Sequence, residues 1–433
     1  MWRRIFLLCF ALLLSLSPVQ ARQLDKAELN FATALISMST YSAELNVLAR
    51  NWLEELGWVV DSHEYATALA AGRVHILAKK LPDDEQIYVL AFPGTERKQD
   101  AIVDLRVKRV PFGGKNPSEF AAEAAREERQ GSEPLVHKGF NDYTQAALFS
   151  EQLPEFGNLT LGEVIARDLR NHPAYQLYLT GHSLGGAAAT LAAARLADMG
   201  VQPQQLQVIT FGAPAVGNTA FARAYEKRMQ LTRITMEGDP VKAALQSLSG
   251  SYAQFGEKVV WDSHLGRFPH DMTLYLDEAL RHYQDAHDEL EKPLLITGHC
   301  QQLAGPLYVA PFRFKLDDML SGDQSYMERV ARGILKGAYT PVIFSKGQGK
   351  VYQDARQQGA RYVLFERFRG QRIKKEEANF RLTLEEELYD IEGNLLAYQS
   401  YSTTASTLTP IEAVGYLVMQ AEAGRSAKLN VKK

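Results

Sequence analysis

The chain has 433 residues, 46% hydrophobic and 23% charged, a composition that excludes extended disorder and low-complexity fibre. Lys and Arg total 48 against 51 Asp and Glu, so the net charge is -3 and no electrostatic footprint for nucleic acid exists. Two cysteines, Cys9 and Cys300, exclude a disulfide framework, and the length implies about two domains.

The chain begins with a short basic stretch, Met1-Trp2-Arg3-Arg4, followed by an apolar run over residues 5–16. That run is shorter than the ~20 residues a membrane-spanning helix needs. Ser17-Pro18 breaks it, and Val19-Gln20-Ala21 supplies slender residues at the -3 and -1 positions. Residues 1–21 therefore read as a secretory signal peptide cut after Ala21. Cleavage would leave Cys300 as the lone thiol, expected to be a buried small hydrophobe. Since no later run reaches 18 apolar residues, the mature chain is expected in the periplasm or outside the cell, touching a membrane only peripherally.

Residues from Lys26 onward read as helical, with Leu29, Ala32, Leu35 and Ile36 at helical spacing. Leu45, Leu48, Leu53 and Leu56 repeat that spacing. Short apolar runs over 73–78, 87–92, 175–180, 206–211 and 231–236 read as strands, with helices over 161–169 and 186–199 between them. Strands alternating with helices predict an α/β fold, a mainly parallel sheet covered on both faces. Residues 106–135 interrupt the alternation with Pro, Gly-Gly and an Ala/Glu/Arg stretch, and read as a surface insertion with one helix, either a lid or a plain solvated loop.

A charged helix over 273–291 leads to Lys292-Pro293, where the pattern changes. Strands over 307–314, 341–345, 362–368, 379–389 and 395–402 then mix with helices over 324–336 and 352–358, and a last helix begins near Pro410. Phe380, Leu382, Leu384 and Leu388 alternate with polar residues, as in a half-buried antiparallel strand. Ile391-Glu392-Gly393-Asn394 reads as its hairpin turn. The expected organisation is a signal peptide over 1–21, an α/β domain over 22–292 and a smaller α+β domain over 293–433. Residues 293–433 carry 19 basic and 15 acidic residues, net +4, which leaves -7 for residues 1–292.

Gly181-His182-Ser183-Leu184-Gly185-Gly186 contains G-x-S-x-G between an expected strand and an expected helix. That is the frame of a nucleophile elbow, in which glycines spare a tight turn from collisions and the helix N-terminus favours developing negative charge. A nucleophilic Ser needs a base and an orienting acid, which follow it in the order acid, then His. Asp239, closing the 231–236 strand in Glu237-Gly238-Asp239-Pro240, is the candidate acid, with Asp262 as its rival. His270, just before a helix, is the candidate base, with His264 as runner-up. His282 and His287 sit on the polar helix at i,i+5 spacing, which suits solvent exposure better than metal ligation. No metal or cofactor is called for.

Four blocks in order resemble the class 3 (fungal-type) lipases of the α/β-hydrolase superfamily. They are Ala91-Phe92-Pro93-Gly94-Thr95 with Asp100 to Leu105, Val136-His137-Lys138-Gly139-Phe140, the elbow itself, and Thr210-Phe211-Gly212-Ala213-Pro214-Ala215-Val216-Gly217-Asn218. The likeness covers roughly residues 26–280. It implies an α/β-hydrolase fold, Ser183 as nucleophile, Asp239 as acid and His270, with Tyr275 following, as base. It also implies oxyanion donors from Thr95 and the backbone N–H of Leu184. Pro93 stands where the family has Arg, and Glu96-Arg97-Lys98-Gln99-Asp100 is more charged than the family's lids. In the C-terminal part, Tyr308 to Phe312, Gly359 to Leu364 and the hairpin through Gly393 resemble the α/β amino-terminal domain of the periplasmic protein TolB, which implies an interaction domain for an envelope partner.

The reading that follows is a serine carboxylic ester hydrolase, a lipase or phospholipase acting through an acyl-enzyme on lipid or ester substrates. Two alternatives keep the same scaffold: an exported envelope-binding protein without catalysis, and an acyltransferase that passes the acyl group to an acceptor other than water.

Overall fold

The computed structural model describes residues 26–41, 59–66, 71–80, 86–94, 108–127, 132–241, 252–263, 268–286, 300–347, 349–373, 379–405 and 408–429. The expected signal peptide and the helical spacing over 45–56 lie outside them. Two compact units divide the chain, residues 1–262 and 263–433.

In the first unit the elements run α1 (Lys26–Ser39), β1 (Val59–Ala66), β2 (Ala71–Lys80), β3 (Gln86–Phe92), β4 (Arg109–Pro111), α2 (Pro117–Ala125), β5 (Leu135–His137) and α3 (Lys138–Phe149). They continue with β6 (Gln152–Leu153), β7 (Leu159–Thr160), α4 (Leu161–Asn171), β8 (Gln176–His182), α5 (Leu184–Asp198), β9 (Leu206–Phe211), α6 (Thr219–Tyr225), β10 (Gln230–Met236) and β11 (Glu257–Trp261). Seven strands form one sheet in the order β1-β2-β3-β8-β9-β10-β11. From β3 to β11 every pairing is parallel, while β1, β2 and β3 pair antiparallel. The expected mainly parallel sheet is therefore present, with an antiparallel hairpin added at one edge.

Local chemistry explains the element boundaries. Thr160 and Glu163 close a reciprocal capping box at the start of α4. Asn116 caps α2, with Pro117 at its first position. The central strand β8 is buried from Leu177 to His182, as a strand covered on both faces must be. Helix α5 is buried almost all round, and its run of alanines lets it lie close on β8 and β9.

The insertion departs from its expected surface placement. Phe112 and Phe120 are buried, and Phe120 packs edge-on against Phe149 at 5.3 Å. Their burial has a physical reason in Arg195, a fully buried side chain of α5. Its guanidinium donates to the carbonyl of Gly113 (2.7 Å) and to Asn141 Oδ1 (3.0 Å), and lies 3.6 Å and 4.3 Å from the ring centroids of Phe112 and Phe120. Residues 108–127 are thus stitched to the elbow helix, and a free lid is not what they form. Burial brings the Arg195 pKa down to about 10, which still leaves it charged at neutral pH.

The second unit holds α7 (Met272–Ala286), β12 (Gln301–Val309), β13 (Arg313–Leu316), α8 (Gln324–Ala338), β14 (Tyr339–Phe344), α9 (Val351–Gln357), β15 (Tyr362–Arg372), β16 (Phe380–Asp390), β17 (Leu395–Thr404), α10 (Pro410–Gln420) and α11 (Glu422–Ser426). Its sheet has the order β14-β12-β15-β16-β17, with β13 beside β15. The expected single strand over 307–314 is two strands. Pro311, which lacks an N–H, falls between them. The hairpin turn forms where expected, with the Asp390 carboxylate accepting from Asn394 N and Nδ2 and Gly393 at φ 97°.

The unit boundary lies at 262/263, earlier than the 292/293 expected from composition. The reason is that α7 belongs with the later elements. Arg281 bridges Asp277 on its own helix and the fully buried Asp323, and Asp285 pairs with Tyr326 and Arg329 of α8. Cys300, expected to be buried, is exposed, because it precedes β12 rather than standing in it.

At the heart of the second unit, Arg425 of α11 is buried against Glu366 of β15 and Glu386 of β16. Two carboxylates share one guanidinium. Burial, then the neighbouring Glu386 charge, pushes the Glu366 carboxyl well above the usual range, against the pull of Arg425. Glu366 therefore holds its proton in the folded state at pH values where the unfolded chain has lost it. A raised carboxyl pKa contributes stability that is present at low pH and is lost as pH rises through the folded value.

Two predictions follow from these buried charges. In thermal melts, Glu366→Gln should match or exceed wild type at pH 7 and flatten the fall in stability above about pH 5. A loss of stability at pH 7 equal to that at pH 4 would contradict the assignment. Arg195→Lys should cost about 1–3 kcal/mol, since one ammonium cannot stack between two rings while reaching both oxygens. Urea unfolding of the two proteins measures that difference.

Candidate active site

The site is built at the turn from β8 into α5. Ser183 occupies it with φ 55° and ψ -123°, one of two non-glycine residues with positive φ among those described. This backbone costs on the order of 1–3 kcal/mol and persists only where the surroundings over-determine it. Here they do. The Ser183 N–H donates to the carbonyl of Phe211 on β9 (2.9 Å), and its carbonyl accepts from Ala187 N (3.2 Å) to start the helix.

The glycines of the motif answer to steric demands. A Cβ on Gly181 would lie 2.4 Å from the Gly185 carbonyl carbon, and one on Gly186 would lie 2.7 Å from Ala213 Cβ. The tightest is Gly185, whose Cβ would come within 2.1 Å of the Phe92 carbonyl oxygen. The exit of β3 is therefore pressed directly on the elbow. Gly94 continues that contact, since a Cβ there would sit 1.9 Å from the Tyr41 hydroxyl and 2.6 Å from the His182 carbonyl. Leu184 is the first residue of α5, so its N–H has no acceptor within the helix and stands at the positive end of the helix dipole. Thr95, expected as the second oxyanion donor, lies outside the described residues, as does His264.

Asp239 follows β10 at the same carboxyl-terminal edge of the parallel strands as Ser183. Gly238, at φ 73°, turns the chain, and the Asp239 Oδ1 accepts from Val241 N at 2.8 Å. Asp239 is 1% exposed, while its rival Asp262 is exposed to solvent. His270 belongs to the second unit. It is buried two residues ahead of α7, in a bend closed by the Asp271 N–H donating to the Phe268 carbonyl (2.8 Å), with the Phe268 ring 6.3 Å away. The fold thus brings Ser183, Leu184 and Asp239 to one sheet edge and places His270 in the element that opens the second unit.

Sequence reasoning missed the braces behind the elbow. The Tyr41 hydroxyl lies 2.6 Å from His182 Nδ1, Ser37 Oγ lies 3.0 Å from Thr180 Oγ1, and Tyr143 donates to the Pro93 carbonyl at 3.1 Å. Partners 141 and 143 positions apart leave no mark on local spacing. Two blocks singled out in the sequence act as scaffolding. His137 caps α3, its Nδ1 accepting from Phe140 N, and its ring lies 4.1 Å from that of Phe140. Asn218 caps α6 and also accepts from Leu135 N, which ties the end of the insertion to the strand-end loop.

Residues 89–246 match the family model described as Lipase (class 3). The Secreted mono- and diacylglycerol lipase 2 of Gibberella zeae is 29% identical over 290 residues, covering 61% of this chain and 66% of that protein. Lipase ZK262.3 of Caenorhabditis elegans is 44% identical over 78 residues, 18% of this chain and 22% of the relative. Phospholipase A1-II 2 of Oryza sativa subsp. indica is 26% identical over 193 residues, 42% and 46% of the two chains. The chain therefore spans less than two thirds of the length of these curated relatives. Among solved structures, the lipase of Rhizopus microsporus var. chinensis aligns at 20% identity with a TM-score of 0.40, over 55% of this chain and 76% of that one.

Gly185→Ala tests the elbow packing. Its methyl would meet backbone, which cannot swing aside, so either β3 or the Ser183 turn must shift. The expected cost is about 1–3 kcal/mol in stability by chemical denaturation. Ser183 reactivity should fall with it. Gly322→Ala, where a Cβ meets nothing within 4 Å and φ is not left-handed, is the control for adding a methyl to a glycine.

Proposed function

We propose that this chain, whose residues 89–246 match the family model described as Lipase (class 3), is an exported serine hydrolase of carboxylic esters. Ser183 is the nucleophile. His270 takes its proton as the hydroxyl attacks the ester carbonyl, and Asp239 orients the imidazole and stabilises its charged form. The N–H of Leu184 and the Thr95 residue hold the oxyanion. The alcohol leaves with the proton from His270, and a water activated by the same imidazole then releases the acid. Residues 1–21 direct export to the periplasm or beyond.

One observation carries this reading: the strained backbone of Ser183, enforced by three close-packed glycines at a strand-to-helix turn. Strain at a single serine, maintained at a cost, is the arrangement that lifts a hydroxyl off a sheet edge. The deep burial of Asp239 beside exposed Asp262 supports the choice of acid. Relatives named as a mono- and diacylglycerol lipase and a phospholipase A1 support glycerol-backbone acyl esters as the substrate class, met by peripheral contact with a lipid surface. The domain after the hydrolase region serves as an interaction module for the cell envelope rather than as a second active site.

A fluorophosphonate probe should label the wild-type protein and leave Ser183→Ala unlabelled. Hydrolysis of a chain-length series of p-nitrophenyl esters and of phospholipids should fall on the order of 10⁴-fold or more in Ser183→Ala and His270→Ala. Equal labelling of folded wild type and Ser183→Ala would remove the proposal.

A further inference from the structure

Strand β17 closes its sheet on one side and pairs only with β16 among the described residues. It runs for ten residues, Leu395–Thr404, which is long for an edge. Edges are ordinarily protected by Lys, Pro, inward charges or brevity. This one has none of these, although its ladder with β16 skips Leu396 near one end. Its sequence, Leu-Leu-Ala-Tyr-Gln-Ser-Tyr-Ser-Thr-Thr, is free of charge and of Pro. The charges stand one and two strands inward, on β16 and β15, where Arg367 pairs with Glu387 and Arg369 with Glu385. Leu395 and Tyr398 are also the two most exposed large hydrophobic side chains among those described, at 55% and 58%.

We propose that β17 is the dimerisation edge of this protein and that its occupant is β17 of a second copy, paired antiparallel about a two-fold axis. Such an isologous pairing brings the same patch of both copies together. Three features select it. A strand without charges meets itself with no like-charge repulsion. Its inner face is already covered, since Gln399 donates to the Ala421 carbonyl at 2.7 Å and to Glu386 at 2.6 Å, and among the described residues no strand pairs with its other edge. The flanking charge is polarised along the strand. Exposed Arg381 lies opposite Thr404 at one end, and Asp390 and exposed Glu392 sit in the turn before Leu395 at the other. Antiparallel pairing sets the basic end of each copy against the acidic end of its partner, whereas parallel pairing would set like against like.

The test is sedimentation equilibrium of the full mature chain between about 1 and 100 µM, the range in which a modest strand interface dissociates. A reversible dimer is expected, weaker at high salt. Ser400 is exposed and stands beside the middle of the strand, so Ser400→Lys places two ammonium groups near the axis and should weaken the dimer about tenfold or more. Arg381→Glu should weaken it too, and Arg381→Glu combined with Glu392→Arg should restore it, which a merely structural role for either residue would not produce. Ester hydrolysis should be unchanged in all three. A wild-type monomer throughout that range would overturn the proposal, as would a dimer whose dissociation constant is the same in Ser400→Lys or is not rescued by the charge swap.

Discussion

The contact on which the first unit depends is backbone against backbone: the carbonyl of Phe92 at the end of β3, facing Gly185 at the start of α5. No side chain mediates it, so no alternative side chain could replace it. Its closeness forces glycine at 185, and the same crowding forces glycine at 181 and 186. With those positions spent on avoiding collisions, the chain reverses from strand to helix across one residue, and that residue is Ser183. Its left-handed φ is the consequence of the packing, and the packing in turn is held by β8 lying parallel between β3 and β9. Strain at the serine and order in the sheet are one balance seen from two sides.

Sequence pattern reached this centre well and its supports poorly. The elbow was legible because strand, turn and helix are contiguous and each leaves a local mark: an apolar run, glycines at two and three residues from a serine, a run of alanines. β9 was read at its observed bounds for the same reason, six largely apolar residues bounded by a proline turn and a glycine. What escaped is long-range. Tyr41 and His182 meet across 141 residues, and nothing near either one announces the other. The edge strands of the first sheet escaped too. β1 and β11 have mixed polarity because an edge is only partly covered, and mixed polarity resembles loop.

The insertion was misread for a different reason. Its composition is that of a surface segment, with prolines, glycines and alternating charge. Two phenylalanines, Phe112 and Phe120, decide its placement, and they are buried by a residue some 80 positions away. A charged Arg195 looks like a surface residue in any hydropathy count. Flanked by two rings and two oxygens, it becomes part of the core. The division between the compact units falls earlier than the change in composition, because the ion pairs of Arg281 and Asp285 with later residues carry no local signature.

The two units bury charge in opposite ways, and the contrast bears on rigidity. In the second unit Arg425 faces two carboxylates, so the surplus acid gives up its charge by keeping a proton. In the first, Arg195 faces a carbonyl, an amide oxygen and two aromatic faces, none of which titrates near neutral pH. The contacts of Arg195 with its partners therefore do not depend on pH across that range. Its length is fixed at three points: the glycine contacts at Ser183, the stacked guanidinium at Arg195, and Asp198 accepting from Tyr225 and Arg228 at its end. Contacts at the start of the helix and in its last turn hold it against its neighbours, and the Leu184 N–H stands at the held start. In the proposed reaction, a donor fixed in this way would need no rearrangement when charge develops.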